Sequence, residues 1–259
     1  MGGPSPATAY DGGMTTSWQG AAELALVVDR PSSDAAAELE RGLTLLREVA
    51  GGSRPPTLRL YRPSPTVAFG QRDTRLPGFG AAGDAASARG FTPLVRRAGG
   101  RAAAYHRGCL VVDHIEPATD AVARTRARFA EFGTFLAEVF HSVGIDARVG
   151  EIPGEYCPGE FSVHGVAGGA PAVKLVGTAQ RVVAGAWLFS SVLVVEDSAP
   201  LRAVLTDVYS ALGLAWQPTT AGSARDLAGN ITVDDVEAAL LAAYAGVVQL
   251  TSGKGGSRR

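Results

Sequence analysis

The spacing of apolar and polar positions separates helical from extended segments along most of this chain. Over residues 34–49, Ala36, Leu39, Leu43, Leu46 and Val49 recur at intervals of three and four, which predicts an amphipathic helix stopped by Gly51-Gly52. Residues 57–61 alternate instead, with Leu58 and Leu60 on one face, and after Pro63 and Pro65 the run 66–69 ends at Gly70. Both read as short strands. Residues 78–90 are rich in small side chains and predict no more than a short helical turn, and 91–97 lead into Gly99-Gly100. Within 102–115 the β-rich run 109–112 reads as a buried strand. The clearest helix is 120–143, with Phe129, Phe132, Leu136, Val139 and Val143 as its stripe and Gly144 as its end. Strands are expected at 172–183 and 186–196, and helices at 199–212 and 234–244, the last opened by the capping spacing of Thr232 and Asp235. Strands thus come in runs, which favours a mixed or antiparallel sheet with helices packed on it over a doubly wound parallel sheet.

At 259 residues with 46% hydrophobic and 19% charged, the chain has the composition of a globular protein with a real core. The formal net charge of −1 excludes a broad basic surface for nucleic acid. The longest uncharged apolar run, 182–195, is interrupted by Gly185, Ser190 and Ser191, so no membrane span is expected. The N-terminus lacks the basic start and apolar core of an export signal, which points to a cytoplasmic protein. Glycine-rich ends at 1–20 and 251–259 are expected to be flexible, leaving 21–250 as one body without repeats or a long linker. Two cysteines, Cys109 and Cys157, argue for reduced thiols rather than a disulfide scaffold and exclude a four-cysteine zinc site. No glycine pattern of the dinucleotide or P-loop kind opens a helix after a strand.

Three segments carry candidate chemistry. Residues 96–108 gather Arg96, Arg97, Arg101 and Arg107 with Gly99, Gly100, Gly108 and His106. Such a segment is either a hairpin turn with solvated arginines or a loop whose backbone amides and forked guanidinium donors hold an anion. The second segment is Gly154-Glu-Tyr-Cys-Pro-Gly-Glu160, where Cys157 sits on no apolar period and before Pro-Gly, as on a tight loop. An exposed thiol beside a cation is a nucleophile, whereas Cys109, between apolar neighbours, reads as buried and inert. The third is 173–181. Of 24 basic residues only Lys174 and Lys254 are lysines, and Lys174 alone falls within a predicted strand. It is either a surface lysine left by drift or a compact ammonium suited to an oxyanion, a thiolate or a phosphate. His114, His141 and His164 lack metal-ligand spacing, and no metal site is expected. Asp234-Asp235 sits at a helix start, where capping suffices.

Taken together, the arginine–glycine segment ending in Tyr105-His106 and the Lys174-x-x-Gly-x-x-Gln-Arg181 segment resemble the two signature motifs of the lipoate and biotin protein ligase family. The Tyr156-Cys-Pro-Gly159 loop resembles its cysteine-dependent branch, amidotransferases that move an octanoyl or lipoyl group. The resemblance implies an α+β, two-layer fold: a mixed, largely antiparallel sheet with flanking helices, shared with class II aminoacyl-tRNA synthetases and biotin synthetases. It implies Cys157 as acyl-accepting nucleophile and Lys174 as catalytic lysine. Arg97, Gly99, Gly100, Tyr105, His106, Gly177 and Thr178 would bind the acyl substrate. The donor would be the glycine cleavage H protein or an acyl carrier protein, and the acceptors the lipoyl domains of 2-oxoacid dehydrogenase E2 subunits, with the four arginines of 96–107 steering them. No cofactor is required for such a transferase; a ligase would use ATP and Mg, and a non-catalytic lipoyl-domain binder is a third reading. Where ligases show a third consecutive glycine this chain has Arg101, which places a large side chain beside the acyl or adenylate pocket and counts against nucleotide binding.

Overall fold

The computed structural model describes residues 20–252. In chain order the elements are β1 (Glu23–Val28), α1 (Ala35–Ala50), β2 (Thr57–Tyr61), β3 (Thr66–Phe69), α2 (Phe79–Ala88), β4 (Thr92–Val95), β5 (Ala103–Tyr105) and β6 (Cys109–Pro117). There follow α3 (Thr125–Ser142), β7 (Asp146–Val149), β8 (Val163–Val166), β9 (Val173–Val183), β10 (Ala186–Val194), α4 (Ser198–Leu212), α5 (Ala224–Ala228), α6 (Val233–Ala245) and β11 (Gln249–Ser252). The ends expected to be flexible lie outside the described residues, except for Gly20 and for Thr251 and Ser252, which belong to β11.

Eight strands form one sheet in the order β11-β1-β2-β6-β10-β9-β8-β7, and β4-β3-β5 form a second. β1 runs parallel to β11 and to β2, and β3 parallel to β4; every other pairing is antiparallel. The expected mixed, largely antiparallel sheet with flanking helices is borne out. Helix α1 begins where the Asp34 carboxylate accepts the Ala37 N–H at 2.9 Å, and α6 begins with a reciprocal Thr232/Asp235 box. Helix α3 starts at Thr125, five residues later than its pattern predicts, because Asp120 caps a preceding turn through the Ala123 N–H instead. The small-residue stretch at 78–90 forms a ten-residue helix, α2, longer than expected.

Alternation along the strands divides the large sheet into two differently used faces. Leu58, Leu60, Leu110, Val112 and Phe189 pack with Phe132, Phe135, Leu136, Val139 and Phe140 of α3 and with Val236, Leu240 and Tyr244 of α6. Each such side chain contributes about 1.5–3 kcal/mol on full burial. On the opposite face Leu45, Leu46 and Val49 of α1 cover Ile115, Ala186 and Leu188, with Val183 at the edge. A third cluster joins α2 and α4 to the small sheet and reaches Cys109 and Tyr156. Between α1 and the small sheet, part of the second face is left unfilled, and that space is the site.

Candidate active site

An irregularity in β9 brings Lys174 to this face. β8 and β9 pair Val163 with Val176 but His164 with Lys174, so Leu175 is an extra residue. Such a bulge reverses which way the preceding side chains point. Leu175 and Val176 both enter the α3 core, and Lys174 turns to the opposite side with Gly177 and Ala179. Lys174 is 2% exposed, and its three ammonium protons have three acceptors: Cys157 O at 2.8 Å, Tyr156 O at 3.0 Å and Glu155 Oε1 at 3.3 Å. Its Nζ also lies 5.0 Å from the centre of the Tyr156 ring. The Glu155 carboxylate is fully buried and organises the same loop, taking the Gly159 N–H at 3.1 Å and the Ser162 hydroxyl at 2.6 Å.

Cys157 occupies the turn this network creates, with φ of 43°, a left-handed conformation uncommon for a residue other than glycine. Its own N–H donates to the Tyr209 hydroxyl at 2.7 Å, and that hydroxyl donates to Ala102 O at 3.0 Å. Its sulfur, half-buried, accepts the Arg101 backbone N–H at 3.2 Å and an Arg96 N–H at 3.5 Å. Arg96 also donates to Arg101 O at 2.9 Å. The meeting of thiol and guanidinium depends on Gly100, which has φ of 98°; a Cβ there would stand 2.5 Å from Arg96 Nη2 and 2.8 Å from Cys157 Sγ. Cys109, by contrast, is fully buried, and burial pushes its thiol up to about 12.

From the thiol a cavity of about 460 Å³ extends across the sheet beneath α1. Its floor is set by strand register. Gly177, Val192, Val111 and Tyr61 lie side by side on β9, β10, β6 and β2, with Ala179, Ser190, Asp113 and Arg59 in the adjacent row. Three interstrand spacings give it a reach of roughly 14 Å. The far end is closed by the Tyr61 and Tyr105 rings, by Leu39 and Leu43 of α1, and by Asp113, which pairs with buried Arg59 at 2.9 Å. Burial raises the Tyr61, Tyr105, Tyr156 and Tyr209 phenols well above their usual range, so all four are neutral and protonated. Among the described residues no group of three or more His, Cys, Asp or Glu is placed to hold a metal ion, and no helix is long and apolar enough to cross a membrane.

A thiol held by two N–H donors at one end of a largely apolar slot is suited to accept an acyl group. Residues 34–245 match the lipoyl protein ligase A/B catalytic domain. The chain belongs to this family. It is 28% identical over 207 residues to the octanoyl-[GcvH]:protein N-octanoyltransferase of Geobacillus kaustophilus, covering 76% of this chain and 71% of that one. It is 25% identical over 212 residues to the lipoyl-[GcvH]:protein N-lipoyltransferase of Listeria monocytogenes, covering 77% and 74%. Two solved structures share its fold. A lipoate-protein ligase A bound with ATP gives a TM-score of 0.68 at 19% identity over 89% of this chain and 88% of that one. The bipartite lipoate protein ligase of Thermoplasma acidophilum gives 0.65 at 19% identity over 89% and 85%.

Set in this lipoyl protein ligase A/B domain, most residues singled out from the sequence line one cavity: Cys157, Lys174, Arg97, Gly99, Gly100, Tyr105, Gly177 and Thr178. His106 does not. Its Nδ1 accepts the Gly108 N–H and its Nε2 donates to Asp197 O, both at 2.9 Å, which pins the turn before β6. Arg101 also departs from expectation, because its side chain leaves the cavity for Asp73 Oδ1 at 3.2 Å and only its backbone faces the thiol. The expected crowding of the pocket by a large side chain therefore does not occur. Of the four arginines expected to steer partners, Arg97 and Arg107 are exposed, while Arg96 and Arg101 turn inward. Glu155 is a site group that sequence reasoning missed, and Arg96, expected to steer partners, instead meets the thiol. Sequence offers no signal to choose Arg96 over Arg97 as the inward residue, since β4 ends at Val95 and alternation stops there.

Proposed function

We propose that this enzyme is an acyltransferase that carries an octanoyl or lipoyl group from the glycine cleavage H protein to lysines of lipoyl domains, those of 2-oxoacid dehydrogenase E2 subunits included, through a thioester on Cys157. The observation that carries this reading is the Cys157 sulfur, held by two N–H donors at the open end of a slot long enough for its cargo. An extended eight-carbon chain with bonds of about 1.5 Å reaches roughly 9 Å and fits within the slot. The glycine cleavage H protein as donor, in preference to an acyl carrier protein, is drawn from the relatives' names.

In the first half-reaction the Cys157 sulfur bonds to the acyl carbonyl carbon, the carbonyl π pair moves to oxygen, and the C–N bond to the donor lysine then breaks. The thiol proton ends on the departing amine. In the second, an acceptor lysine amine attacks the thioester, the amide forms and the sulfur leaves as the thiol. The Arg101 N–H is a backbone donor beside the reacting sulfur, and such donors stabilise the charge that develops on attack. Lys174 fixes the nucleophile by holding the carbonyls of Tyr156 and Cys157, and places a positive charge beneath the reacting atoms.

An ATP-dependent ligase would need Lys174 to meet an adenylate phosphate. Its donors are committed to the cysteine loop, and the Glu155 carboxylate beside it repels an anion, so these residues do not fit the nucleotide. The test is to incubate the protein with octanoylated H protein and then with an unmodified lipoyl domain, with and without ATP, and to weigh both products. The expected result is octanoyl mass on Cys157 and transfer without ATP. Full ATP-dependent activity of Cys157→Ala would establish the ligase reading, and tight binding without transfer the binding-module reading.

A further inference from the structure

The cation in contact with the thiol is Arg96. Its Nη2 lies 3.5 Å from Cys157 Sγ and 2.9 Å from Arg101 O, while the Lys174 donors are all directed at the loop's carbonyls and at Glu155. The position is not one that hydrogen-bond satisfaction alone selects, since the Arg96 Nε is buried without a partner. A buried donor left unpaired is costly to the fold. Glycine at position 100, in a conformation that side chains rarely adopt, keeps open the space in which guanidinium and sulfur meet. Arg97, one residue on, is exposed at the rim of the cavity, and its carbonyl accepts from Arg181 at 3.5 Å.

We propose that Arg96 is a catalytic residue of the thioester step, its guanidinium balancing negative charge on the Cys157 sulfur and following it as the electron pair shifts to the acyl oxygen. Lys174 is then the positioning residue that fixes the loop. The inference rests on the thioester reading above. Guanidinium suits the task because it is always charged and offers donors from a rigid plane, so one edge can hold Arg101 O and the sulfur together.

The test compares two alkylating probes of the thiol, anionic iodoacetate and neutral iodoacetamide. Their rate ratio reports the charge beside the sulfur and cancels differences in exposure or loop order, which a merely structural role would alter. On the native protein the ratio should exceed that on N-acetylcysteine amide by about fourfold, the Coulomb factor for unit charges roughly 5 Å apart in water. In Arg96→Met it should fall to the small-molecule value, and octanoyl-thioester formation should slow about 100-fold, as for loss of an oxyanion donor. Arg96→Lys should keep the elevated ratio. An Arg96→Met protein with the wild-type ratio and a thioester rate within threefold of wild type would overturn the assignment. If that variant does not fold, a wild-type ratio equal to that of N-acetylcysteine amide overturns it as well. Failure of the thioester reading is seen separately, as absence of octanoyl mass on wild-type Cys157.

Discussion

Replacing Lys174 by Met keeps the length and apolar stem of the side chain and removes three hydrogen bonds and one charge. The partner left behind is the Glu155 carboxylate, fully buried, with Oε2 unpartnered even in the intact protein. Removing one member of a buried pair costs about 3–5 kcal/mol, because the remaining charge has neither water nor a counter-charge. For a chain of this size that lowers the melting temperature by roughly 6–20 °C. Glu155→Gln in the same chain removes the stranded charge while keeping an amide oxygen for the Gly159 N–H and the Ser162 hydroxyl. The double variant should therefore recover at least half of the lost stability and none of the lost transfer, since the carbonyls of Tyr156 and Cys157 still lack their donor. Thermal denaturation and thioester mass on each variant check this. A Lys174→Met protein melting within 2 °C of wild type would refute the description of the pair. One that forms the thioester at near wild-type rate would refute the role given to the lysine.

Gly100→Ala combines an unfavourable φ with a Cβ 2.8 Å from Cys157 Sγ; it should slow thioester formation at least tenfold while shifting the melting temperature by only a few degrees, measured by single-turnover acylation and calorimetry. Ser190→Leu fills the middle of the cavity floor opposite Asp113 and Ala179; octanoyl transfer should be lost while short acyl chains still load Cys157, as mass spectrometry of a chain-length series would show. With Cys109 pushed up to about 12 by burial, iodoacetamide at pH 8 should modify Cys157 alone in the native protein and both cysteines after unfolding, so one labelled site by peptide mapping is the expected result.

The helices α1, α4 and α6 were legible in the sequence because each has an apolar stripe on one side and a chemical stop or start, such as Asp34 or the Thr232/Asp235 pair. Strands β2, β9 and β10 were legible by their apolar pattern, and the four-residue β3 by Pro63, Pro65 and Gly70, which bracket it. Strand β1 was not read, and β7, β8 and β11 are four residues long, too short for a period to declare itself. At the site, Cys157 and Lys174 stood out by rarity of type and by their motifs. Glu155 did not, since one carboxylate among 25 acidic residues has no period or spacing to mark it, and only folding removes it from water. The bulge that turns Lys174 inward is likewise silent in the sequence, where Leu175 looks like any other strand residue. His106 was misplaced by motif proximity: it follows Tyr105, and the alternation that sends the tyrosine into the cavity sends the histidine away from it.

The Tyr209 hydroxyl touches two loops at once, accepting from the Cys157 N–H and donating to Ala102 O. The glycine-rich loop and the cysteine loop come from stretches of chain more than fifty residues apart, yet each is fastened to the same atom of α4. They therefore cannot part independently: a displacement of α4 that keeps both bonds carries the two loops together, so the sulfur and the Arg101 amide hold their spacing. The geometry at the open end of the slot is thus maintained by α4, an element that holds no reacting group of its own.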